Sequence, residues 1–262
     1  MEVQTPLAME RRPTRWRMAV FRILAAVFAL GSFAALDGFI ELLLPFTRSE
    51  SYLPYELHWH GGVHGALIGL LLGGSLVMLL FRPAAGPAVL RFYILGHGVF
   101  LVALAITDWN LYVKKLFVTG MFAVVCLSLY AAYPYRDQVF RSSGETRTPS
   151  RPVAMLTAAA AAALLPLIWR GISNQWAGLD DEFRWGENSA LYLNLIMAGF
   201  FAAGRSRDSV RLGILTGIVY LYLAAAALTI PHHAGSLGTW GGIASAAVGA
   251  GYILLSARRD QG

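Results

Sequence analysis

A second cysteine is missing from this chain. Cys126 stands alone inside an apolar run, which excludes a disulfide within the chain, a metal site built on paired cysteines and covalent attachment of a c-type haem. Charge is scarce as well. Asp, Glu, Lys and Arg make up 14% of the 262 residues, well below the roughly 25% of an ordinary soluble domain. The basic residues neither gather in one patch nor alternate with aromatics along one segment, so the net charge of +6 is no nucleic-acid footprint. A secretory leader is missing by pattern too: the first apolar run, from about Met18 to Phe46, is too long for a signal-peptide core and lacks a small-residue cleavage site. It reads as a retained first span.

What the chain has in excess is apolarity, at 56% of residues and a mean hydropathy of +0.55. It comes in eight runs separated by short polar pieces, each near the roughly 20 residues that cross a bilayer as a helix. The expectation is an all-α integral membrane protein of the cell membrane, multi-pass, with the lipid bilayer as its first partner. The runs predict transmembrane helices over 19–45, 62–81, 88–107, 116–133, 152–169, 189–204, 212–230 and 238–256. With the N-terminus in the cytoplasm, 16 of the 21 basic residues fall in inner segments, and only Arg48, Lys114, Lys115, Arg170 and Arg184 remain for outer loops. That bias follows the positive-inside rule and returns the C-terminus, with Arg258 and Arg259, to the cytoplasm.

The stretch 134–151, rich in Arg, Ser, Thr and Pro, is the one long inner loop and divides the chain. The predicted layout is a cytoplasmic tail (1–18), a four-helix half (19–133), the linker, a second half (152–257) and a short C-terminal tail (258–262). A weak tandem repeat accompanies it. Glu56-Leu57-His58-Trp59 is echoed by Glu182-Phe183-Arg184-Trp185, Ala88–Arg91 by Ser209–Arg211, and Tyr135–Gln138 by Arg258–Gln261, in the same order. Four spans per half would set the two copies side by side about an axis along the membrane normal. Small-residue stretches at Gly73-Gly74 and from Gly241-Gly242 to Gly251 would let helices approach closely.

This topology collects the chemistry on one side. His58, His60, His64, His232 and His233 land at the outer surface, with Asp37, Glu41, Glu50, Glu56, Asp108, Asp180, Asp181, Glu182, Glu187 and six of the seven tryptophans. Only His97 lies near mid-membrane. Glu56, His60 and His64 are four apart and stack on one face if the second span begins early; if Gly61-Gly62 breaks that helix, His60 stays in the loop. Asp37 and Glu41 repeat the spacing within the outer leaflet, where ionisable groups need a partner or a wetted cavity. Interfacial histidines, an aromatic belt and capping carboxylates are the alternative roles of the same residues.

Two four-helix halves with an outer glutamate before a histidine near span two are similar in layout to haem A synthases, which pair a histidine on the second span of each half with one on the fourth; spans four, six and eight here carry none. His232-His233 before a Gly/Trp-rich span resembles the adjacent histidines that help bind copper in haem-copper oxidases. Three functions therefore stand as expectations. The first is an outward-facing transition-metal or haem site for redox chemistry or cofactor handling, with copper, iron or zinc on His58, His60, His64, His232 and His233, haem on His64 or His97, and a redox partner. The second is a membrane-embedded enzyme acting on a lipid, isoprenoid or other hydrophobic substrate, using acid–base chemistry at Asp37, Glu41 or Glu56. The third is a proton-coupled transporter.

Overall fold

The computed structural model describes residues 15–48, 53–83, 86–140, 149–180, 182–204 and 206–260. Arg11, Arg12, Arg141, Arg147, Arg205, Glu50 and Asp181 lie outside the described residues, as do residues 1–14 of the expected tail and 141–148 of the expected linker. Among the described residues there is no strand. The helices are α1 (Arg15–Ala35), α2 (Gly38–Leu43), α3 (Tyr55–Phe81), α4 (Pro87–Thr107), α5 (Trp109–Lys114), α6 (Leu116–Ala132), α7 (Arg136–Val139), α8 (Arg151–Trp176), α9 (Arg184–Ala203), α10 (Arg207–Thr229) and α11 (Gly238–Asp260).

Six of these, α1, α3, α4, α8, α10 and α11, are long and apolar enough to cross a membrane, and α6 is a shorter apolar helix. The chain is thus an all-helical protein of membrane type. The most apolar stretches of α3 and α10 are 67% and 61% buried, against 50% for α4, 22% for α1 and 28% for α8 and α11, so α3 and α10 lie at the centre and α1, α8 and α11 at the perimeter. Perimeter residues such as Ile23, Val27, Val102, Val124, Leu165 and Leu254 keep their apolar side chains exposed. An outward apolar belt of this kind suits acyl chains rather than water.

Local chemistry sets where the helices start and stop. Proline occupies the first turn of α4 and α8, where its missing N–H costs no hydrogen bond. The Ser206 hydroxyl accepts from Ser209 N at the start of α10, and the Asp108 carboxylate accepts from Leu111 N at the start of α5. At the opposite ends, arginines donate to carbonyls that helix termini leave open: Arg259 to Ala202 O and Gly204 O, Arg91 to Val139 O, and Arg17 to Ala131 O. A cation there also complements the helix dipole.

The first predicted span does not run unbroken to residue 45. It ends at Ala35, and Asp37 adopts the left-handed conformation at φ 54°, the only non-glycine to do so among the described residues. Aspartate tolerates that geometry better than branched residues do. The chain restarts as α2, which lies against α3 through glycines: a Cβ on Gly38 would sit 3.1 Å from Gly69 Cα, and one on Gly65 would sit 2.6 Å from Leu42 N. From Gly65 to Gly73 the turns of α3 widen to π geometry, a departure from the α-helix that recurs at functional sites.

In the second half the small-residue expectation resolves into one crossing. A Cβ on Gly217 of α10 would lie 2.7 Å from Gly249 O of α11, and one on Gly249 would lie 2.8 Å from Gly217 O. These two helices make the most extensive pairing in the bundle.

Candidate functional site

α3 opens at Tyr55 and passes through Gly61 and Gly62 without a break. His58, His60 and His64 are all helical, so of the two alternatives the span begins early, and the two glycines have a packing role. A Cβ on Gly61 would meet Leu44 Cδ1 at 2.4 Å, and one on Gly62 would meet Pro45 Cγ at 2.5 Å. The glycines therefore admit the Leu44–Phe46 turn against the helix.

His64 is the centre of the arrangement. Its Nδ1 lies 3.0 Å from Glu187 Oε2 and its Nε2 lies 3.6 Å from Glu41 Oε2. The first is a hydrogen bond. The second is beyond hydrogen-bond length but within ion-pair range. Three helices supply the set: α2 gives Glu41, α3 gives His64 and α9 gives Glu187. All three side chains are mostly buried, at 13%, 24% and 18% exposure. Glu41 Oε2 accepts no hydrogen bond, so a buried acceptor stands ready for a donor. One imidazole thus stands between two carboxylates, hydrogen-bonded to Glu187 and within ion-pair range of Glu41.

The set opens onto a cavity of about 390 Å³. Its polar lining is Glu41, His60, His64, Glu187, Arg184, Lys115 and Glu182, and its apolar lining includes Leu36, Ile68, Phe100, Leu101, Leu104, Phe117, Met121 and Phe122. Phe117 lines the cavity and is also 74% exposed, so the lining reaches the exposed perimeter at α6. Lys115 is ion-paired with Glu182. Arg184 Nη1 donates to both Asp180 oxygens, at 2.8 and 2.7 Å.

The other predicted site residues fall elsewhere. His60 lines the cavity beside His64, with its ring edge-on to Trp185 at 4.8 Å and its Nδ1 3.4 Å from Asn188 Oδ1. His58 Nε2 bonds Leu53 O and its ring meets Tyr55; His233 Nε2 bonds Tyr55 O from the other side. His232 and Glu56 are exposed. Asp37 serves the turn before α2. His97 is buried with its ring between Tyr93 and Phe122, 4.4 and 4.7 Å away, and its Nδ1 on Tyr93 O.

Among the described residues, no group of three or more His, Cys, Asp or Glu is arranged to hold a metal ion. The reason is visible at His64. Its two nitrogens face different carboxylates on opposite sides of the ring, so the three donors do not converge on one point. His58 and His233 are held apart by Tyr55 and do not join His60 or His64. The metal and haem expectations find no support in this geometry.

Glu187, Arg184, Lys115 and Asp180 were not among the predicted site residues. The available signal was Trp185-Gly186-Glu187-Asn188: beginning the sixth helix at Arg184 rather than at 189 places Glu187 in its first turn, on a largely buried segment. Comparison of the chain with family models, with curated proteins and with solved structures returns no match.

Proposed function

We propose that the protein is a membrane-embedded acid–base enzyme acting on an amphiphile, with its polar group at Glu41–His64–Glu187 and its hydrocarbon part along Phe100, Phe117 and Phe122. The observation that carries the reading is an imidazole bracketed by two carboxylates in the wall of a cavity whose lining also reaches the exposed perimeter at Phe117. A histidine in that position takes a proton from one partner and delivers it to another, which is general acid–base work. The low-dielectric wall strengthens each such interaction. His64 is the proton carrier, Glu41 the group with a free acceptor and Glu187 the residue that orients the ring.

The proposed architecture is eight spans in two four-helix halves, with both termini cytoplasmic and the cavity toward the outer side. Two observations support eight rather than six: α6 and α9 run 17 and 20 residues, and α9 is enclosed by α3, α4, α8 and α10, so it has little need to be apolar towards lipid. The division into halves and the faint repeat remain part of this proposal, as does residence in the cell membrane.

The test is lipid analysis of protein captured in native-lipid discs. The wild type holds one amphiphile in excess over the surrounding membrane and converts it on incubation, whereas His64→Gln keeps the enrichment and loses conversion. Identical bound and bulk lipid pools for the wild type reject the reading. The break at Asp37 favours one second reading, proton-coupled transport, because α2 is then a half-span carrying an acidic group. Proton-driven uptake of the enriched amphiphile by proteoliposomes, without conversion, separates the two.

A further inference from the structure

The charges around the cavity are unevenly committed. Both cations that line it already have carboxylate partners, Lys115 with Glu182 and Arg184 with Asp180. In the same cavity Glu41 and Glu187 share one imidazole. A protonated His64 balances one carboxylate, so with both glutamates ionised an incoming group meets a field of negative sign. The rings of Phe100, Phe117 and Phe122 line the same cavity, and aromatic faces attract cations. Glu41 Oε2, buried and accepting nothing, wants a donor rather than another acceptor.

We infer that the polar group this cavity takes is cationic, an alkylammonium and not a phosphate. The inference rests on the amphiphile reading above and narrows its substrate class. An ammonium N–H donates to Glu41 Oε2, its charge offsets the unbalanced carboxylate, and its chain follows the phenylalanines toward α6. A phosphate at the same place would set like charges together, and the two cations already share their charge with Glu182 and Asp180.

The test uses three probes with one chain length, decylammonium, decanol and decyl phosphate, below their micelle concentrations. Calorimetric titration into the full-length protein in zwitterionic phosphatidylcholine nanodiscs is corrected by titration into empty discs. Decylammonium is expected to bind at least about tenfold more tightly than decyl phosphate. The double variant Glu41→Gln/Glu187→Gln is expected to erase that preference while retaining decanol binding. Raising the ionic strength narrows the wild-type preference and provides a readout that needs no variant. Decanol or decyl phosphate binding as tightly as decylammonium overturns this inference and leaves the amphiphile reading standing. Binding of none of the three above the empty-disc level overturns both.

Discussion

Replacing Gly65 by alanine would test the contact that holds Glu41 in reach of His64. The added Cβ would lie 2.6 Å from Leu42 N, 3.0 Å from the Glu41 carbonyl carbon and 3.0 Å from Gly38 O. All three are backbone atoms, so no side chain can swing aside. Restoring ordinary contact moves α2 back by about 0.8 Å, and overpacking of this kind costs about 1–3 kcal/mol. For a chain of this size, 2 kcal/mol lowers the melting temperature by roughly 4–8 °C. The same displacement carries Glu41 outward from a separation that is already 3.6 Å, so conversion of the bound amphiphile falls with stability. The assay is thermal unfolding in nanodiscs, followed with a maleimide dye that reports exposure of Cys126, the single thiol. Gly98→Ala is the control, since a Cβ there meets nothing within 4 Å and alanine is the better helix former. A Gly65→Ala protein that melts together with Gly98→Ala would refute the close approach of α2 and α3.

Three further outcomes follow from the same geometry. Asp37→Asn retains a residue that tolerates positive φ, whereas Asp37→Val forces a branched side chain into it and destabilises by about 1–2 kcal/mol relative to Asn; equal melting of the two variants contradicts the left-handed turn. Gly217→Ala collides with Gly249 O at 2.7 Å, so α10 and α11 separate and the melting temperature drops while the affinity of the cavity for decylammonium holds; a loss of affinity at unchanged stability contradicts this. Arg259→Ala removes donors to Ala202 O and Gly204 O and lowers stability by about 1–3 kcal/mol, as expected for hydrogen bonds from a charged group, which urea titration of the disc-embedded protein measures.

The helices were largely legible because apolar run length responds directly to bilayer thickness. Predicted 88–107, 116–133 and 238–256 lie close to the observed Pro87–Thr107, Leu116–Ala132 and Gly238–Asp260. What periodicity conceals is a break within an apolar run. Leu36-Asp37-Gly38-Phe39 keeps the run going, although the Asp-Gly pair is itself a turn signal. At Gly61-Gly62 the sequence left two outcomes open, because a glycine pair reads alike whether it breaks a helix or receives a neighbour. The site was half visible. His60, His64 and Glu41 stood out by spacing, but the bond from His64 to Glu187 joins residues 123 apart, and such a pairing is decided by how α3 and α9 dock rather than by any local pattern.

That separation has a consequence for biogenesis. Once α3 has left the ribosome, a further 123 residues must be made before Glu187 exists, which at 5–20 residues per second takes roughly 6–25 s. Through that interval the nascent chain holds Glu41 and His64 without Glu187. The arrival of α9 supplies that carboxylate, and a bond between a buried imidazole and a buried carboxylate forms in one register of α3 and α9. The pair that holds the site together is thus also a contact that only the completed bundle can make.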